Sequence, residues 1–146
     1  MAISKIQASS IDDLVNPFAT QLLHVRDEKA SGNGGSSVVG FQTRELNTIV
    51  TNEITGASLS SNQITLPAGT YYIDASAPGV LSQRHNAHLN NVTDGAVQVT
   101  GTCEYAIHTA QVQTRSFILG RFTISAQKNF SITHDFDDAQ TSSGLG

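Results

Sequence analysis

Five histidines stand in this chain, at positions 24, 85, 88, 108 and 134, and imidazole is the side chain best suited to bind metals or move protons near neutral pH. Their spacing is not that of a metal site. His85 and His88 are three apart in a stretch that reads as a strand, so they face opposite sides and cannot chelate together. His24, His108 and His134 are far apart and meet only if folding unites them; surface or partly buried hydrogen-bonding roles are expected of all five. Asp135, Asp137 and Asp138 offer carboxylate oxygens within "HDFDDAQ", yet the spacing follows no calcium loop of fixed pattern, and a solvated acidic turn accounts for it.

Nucleophiles are equally unsupported. Cys103 is the only cysteine and lies in the alternation Val97, Val99, Cys103, Tyr105, which predicts a small core residue rather than a reactive thiol. No serine sits in a nucleophile elbow, and "SGNGGSS" has glycines but no following helix to hold a phosphate. Asp74 and Glu104 are the candidates for a glycoside-cleaving carboxylate pair, but both fall in strands whose separation sequence does not give. The expectation is a protein without enzymatic activity, cofactor or metal.

Composition narrows the partners. The chain has 146 residues, a formal net charge of −4 and 14% charged residues, so Ser, Thr, Asn and Gln must cover much of its surface. Its 8 basic residues form no cluster, which argues against nucleic acid and against an anionic membrane surface. No apolar run is long enough to span a bilayer, and residues 1–20 lack the basic-then-apolar pattern of a secretion signal.

The elements that would position these groups are strands. "ITLPAGTYYIDASAP" places Pro67 and Gly69 in a turn, Gly69 supplying a conformation other residues avoid. Tyr71, Ile73, Ala75 and Ala77 then alternate with Tyr72, Asp74 and Ser76 until Pro78-Gly79 stops the strand. Further strands are expected at Leu22–Glu28, Val38–Leu46 with a bulge at Gly40, Ser82–Val92, Ala96–Tyr105, Arg115–Ser125 and Asn129–Phe136. Thr93-Asp94-Gly95 is a hairpin turn, and Ala126-Gln127-Lys128 joins the last two strands as a pair. Phe130, Ile132, His134 and Phe136 share one face. Short strands at this spacing predict an all-β antiparallel sandwich, barrel or jelly roll over 20–146, preceded by an arm at 1–19 carrying Ile3, Ile6, Ile11, Leu14 and Val15. After Phe136, "DDAQTSSGLG" reads as a loop, so the sandwich is expected to lack a final strand or to have its gap filled by a neighbour.

The ordered set "LLHVRDEKASG", "RELNTIVTNEI", "ITLPAGTYYIDASAP", "RHNAHLNNVTDG", "GTCEYA" and "QTRSFILGRFTISAQKNFSI" resembles bacteriophage virion proteins of tail-fibre, head-fibre or other appendage tips. That resemblance covers most of residues 20–136. It implies a jelly roll similar to tumour necrosis factor and the complement globular head, a homotrimer, and location in the virion. Residues 1–19 would join other virion proteins, and Ile3, Ile6, Ile11, Leu14 and Val15 would anchor them. Loops at one end of such a sandwich would meet a host-surface glycan, with Asn33, Gln83, His108 and Gln111 as candidate contacts. The alternatives carried with this expectation are a capsid decoration protein of the same fold and a glycan-active tail-spike enzyme.

Overall fold

The computed structural model describes residues 21–30, 32 and 34–146. The expected arm at 1–19, with Ile3, Ile6, Ile11, Leu14 and Val15, and the loop residue Asn33 therefore lie outside the described residues. Ten strands follow one another without a helix among the described residues. They are β1 (Leu23–Arg26), β2 (Gly40–Thr43), β3 (Thr48–Asn52), β4 (Ser58–Ser60) and β5 (Gln63–Leu66), then β6 (Gly69–Val80), β7 (Gln83–Asn91), β8 (Ala96–Ala106), β9 (Gln113–Ile124) and β10 (Lys128–Phe136).

All pairings are antiparallel. One sheet runs β4-β5-β10-β7-β8, and β2 also pairs with β10; β6 pairs with β9, and β1 with β3. β10 is central because both its edges are occupied. β7 runs along one edge from Asn91 opposite Phe130 to His85 opposite Phe136. The other edge is shared between β5, at Lys128–Phe130, and β2, at Thr133–Phe136. Its period of two then sends Phe130, Ile132, His134 and Phe136 inward, all buried, as the sequence predicts. Across from them the β6–β9 pair contributes Ala77, Ile118, Phe122 and Ile124 to the same core.

Several boundaries differ from expectation. β6 does not stop at Pro78-Gly79; it continues to Val80, with Pro78 opposite Arg115 and Gly79 opposite Thr114. Val80 donates its N–H to the Gly144 carbonyl, away from β9, and Pro78 has the same parity. The N–H that proline lacks would have pointed to the unpaired edge, so the ladder to β9 loses nothing. The reversal falls instead at Leu81–Gln83, where Leu81 and Gln83 adopt φ of 53° and 59°. Gly69 is not needed for its conformation, since its φ is not positive; a Cβ there would come within 3.1 Å of the Tyr71 hydroxyl. That hydroxyl donates to the Pro67 carbonyl at 2.7 Å and closes the turn.

β9 and β10 are not a hairpin pair either. The link at 125–127 carries the chain from the β6–β9 pair to the six-stranded sheet, because each strand finds its partner elsewhere. The expected Asp-Gly hairpin joins β7 to β8, with Asn91 Oδ1 accepting the Asp94 N–H and Gly95 at φ 66°. Gly40 opens β2 at φ 85°. The segment after Phe136 is tied down: Ser37 and Gln140 form a backbone bridge, and Leu145 donates its N–H to Gly35 O at 3.1 Å.

Candidate functional site

β7 and β10 bring together two of the histidines. His85 and His134 are 2% and 0% exposed, and His85 Nδ1 lies 2.8 Å from His134 Nε2. His85 Nε2 lies 2.8 Å from Thr114 Oγ1 on β9, so the chain of polar groups crosses the core from one sheet to the other. His134 Nδ1 has no partner. One tautomer assignment uses every N–H: His134 Nε2–H donates to His85 Nδ1, and His85 Nε2–H donates to Thr114. The orphaned atom is then an acceptor, which is cheaper to bury than a donor.

Burial holds the His134 imidazole down to a pKa of about 2, with Arg44, His85 and His88 opposing its charge in turn. His85 is lowered as well, chiefly by burial. Both rings are therefore neutral at physiological pH. A neutral histidine pair with no approach for substrate is structural chemistry, since a general base must reach its proton. His88 points to the other face of the sheet, as the spacing predicts. It is nevertheless buried, beside the Phe41 ring at a centroid distance of 5.5 Å, and neither of its nitrogens has a partner.

Arg44 is the second buried polar group that sequence gave no reason to single out. Its side chain donates from Nη2 to Leu145 O at 2.8 Å and from Nη1 to Pro78 O at 3.2 Å. Burial lowers its pKa to about 10, which leaves it charged at neutral pH. The guanidinium thus ties the segment ending at 146 to the far end of β6. Ser116 makes a comparable stitch between β9 and the six-stranded sheet. Its hydroxyl accepts the Ala87 N–H at 2.9 Å and donates to Thr102 O at 2.6 Å. It fits where the β7–β8 register shifts between Asn86 and His88, the place a ladder leaves backbone groups unpaired.

Two of the loop candidates make polar contacts, each with a different partner. Gln83 belongs to β7, not to a loop, and its Oε1 accepts the exposed Tyr105 hydroxyl at 3.1 Å. His108 lies 2.5 Å from the Asp138 carboxylate, and Gln140 Nε2 donates to Leu81 O at 3.0 Å beside it. Gln111 is exposed in the 107–112 loop and joins neither contact. Tyr105, Asp138 and Gln140 complete this polar end, and only the fold could show it, because the partners come from three separate segments.

The remaining candidates scatter. Cys103 is exposed rather than in the core, because it stands on β8 opposite Asn86, on the outward side of the sheet. Asp137 pairs with Arg84 at 3.8 Å and Asp138 with His108, so the acidic run diverges; no group of three metal-binding side chains gathers among the described residues. Asp74 sits on the outward face of β6 opposite Leu119, whereas Glu104 lies on β8 opposite His85. They do not form a facing pair.

The outward face of β6 and β9 is the unexpected surface. Tyr72, Leu119 and Phe117 are 70%, 51% and 44% exposed, and alternate pairing sets Tyr72 against Arg121, Asp74 against Leu119, and Ser76 against Phe117. The signal was in "SFILG", where Phe117 and Leu119 flank Ile118. A strand apolar on both faces has two surfaces to bury. No protein-family model, curated protein or solved structure matches the chain.

Proposed function

We propose that this chain is a noncatalytic structural protein of a phage virion, a jelly-roll module that assembles as a homotrimer and is displayed as a fibre or appendage tip. The observation that carries the reading is the outward face of β6–β9, where Tyr72, Phe117 and Leu119 stand exposed among Asp74, Ser76 and Arg121. Three-fold assembly would bury that face in each subunit. The sequence resemblance to appendage proteins supports the same reading, as does the sandwich arrangement of antiparallel sheets. Residues 1–19 would attach the module to other virion proteins. The polar end formed by Gln83, Tyr105, His108 and Asp138 would face the host surface, where three copies strengthen a weak glycan contact.

Native mass measurement of the 146-residue chain tests the proposal. A three-subunit mass supports it, and a monomer at micromolar concentration contradicts it. Binding of the trimer to host cells, lost on Tyr105→Ala with His108→Ala, would place attachment at the polar end.

A further inference from the structure

Most basic side chains of this molecule have found a partner. Among the described residues, Arg26, Lys29, Arg84 and Lys128 sit in ion pairs, and Arg44 donates to two backbone carbonyls. Arg115 and Arg121 take part in no ion pair among the described residues. Both stand on the outward face of β6–β9, and so does Asp74, an exposed carboxylate equally without an ion pair there. The face that exposes Tyr72, Phe117 and Leu119 thus also collects the unpaired bases, with an acid between them.

Such charges are at ease in water but not under a partner. A single ion taken out of water has to be paired, or the contact that covers it does not form. A second copy of this chain supplies what each charge lacks, because the face carries both signs. The register then decides which arginine serves. Outward rows run Tyr72–Arg121, Asp74–Leu119, Ser76–Phe117 and Pro78–Arg115. Arg121 is therefore one row from Asp74, about 7 Å along the strands, and Arg115 is two rows away, about 14 Å. In a ring whose axis follows the strands, every subunit keeps the same height, so β6 of one copy meets β9 of the next with their rows level. An extended arginine reaches across one row but not across two.

We infer that Asp74 of one subunit pairs with Arg121 of a second copy of this chain, and that this pair sets the register in which the two outward faces meet. Tyr72 and Leu119, the cross-strand neighbours of Arg121 and Asp74, flank the pair and keep water from it. The inference rests on the three-fold assembly proposed above and adds to it the partner of each charge.

Charge reversal on the 146-residue chain tests it, with the trimer dissociation constant read by native mass spectrometry over a concentration series. Asp74→Arg and Arg121→Asp each set like charges together at every contact, and each is expected to weaken the trimer more than about tenfold. Combined, they restore the pair with its signs exchanged and should recover to within about threefold of the unmodified chain. Single reversals without effect on a trimer, or rescue of Asp74→Arg by Arg115→Asp instead, overturn the inference and leave the assembly standing. An unmodified chain that is not trimeric overturns both.

A pair closed within one subunit also passes the reversal test, so a second measurement separates the two, and it needs no reversed charge to fold. Asp74→Cys and Arg121→Cys are placed on different chains, each with Cys103→Ser, refolded together and treated with a short bis-maleimide. The expected product is a covalent pair holding one chain of each kind, in excess over the same-kind pairs that either variant gives alone. No such product from the mixture, or equal yields of same-kind pairs, overturns the inference.

Discussion

β10 and β6 are both long, regular strands with one face in the same core, yet their surroundings are opposite. β10 has neighbours on both edges, β7 on one and β5 with β2 on the other, and even its inward histidine is satisfied on one nitrogen. β6 pairs with β9 on one edge, has no strand partner on the other among the described residues, and carries Tyr72 exposed on its outward face. The difference teaches that burial of one face does not complete a strand. Its two edges and its second face are separate demands.

Truncation should separate the two strands most sharply. Phe130→Ala in β10, at 0% exposure, is expected to cost about 3–5 kcal/mol in denaturant unfolding. Tyr72→Ala on the outward face of β6 should stay within about 0.5 kcal/mol for the isolated subunit. Equal losses would break the comparison. Next in size, Ser116→Ala strands the Ala87 N–H and Thr102 O and should cost about 1–3 kcal/mol, read in the same titration.

The histidines sharpen the contrast through pH. His134 titrates lower when folded, at about 2 against an ordinary 6.5, so below 6.5 the unfolded chain binds the extra proton. Stability is therefore full above that value and falls as pH drops from 6.5 towards 2, at up to about 1.4 kcal/mol per pH unit for this ring, with His85 adding in the same direction. His134→Leu should flatten that limb in unfolding curves taken from pH 7 to 4. An unchanged slope would mean that the ring is not held neutral.

How far the sequence could be read follows from which demands are local. Alternation is local, so the inward set Phe130, Ile132, His134 and Phe136 and the two faces of β6 were legible. The hairpin at Thr93–Gly95 was legible for the same reason, since turn chemistry needs only adjacent residues. Partner choice is not local. Ala126-Gln127-Lys128 reads as a hairpin link, and only the competing pairings of β9 with β6 and of β10 with β7 overrule it. Cys103 alternates like a core residue, but no described residue covers its side of β8. The His85–His134 contact spans forty-nine positions, and the cluster around His108 draws on Leu81, Asp138 and Gln140.

The smallest expected effect on subunit stability belongs to the most decisive variant. Leu119→Arg places a charge at the centre of the outward face of β6–β9, and native mass spectrometry beside the unmodified chain reads its effect. The account predicts three subunits for the unmodified chain and one for the variant, with matching circular dichroism showing that the fold is intact. A variant that remains trimeric, or an unmodified chain that is monomeric, would contradict it.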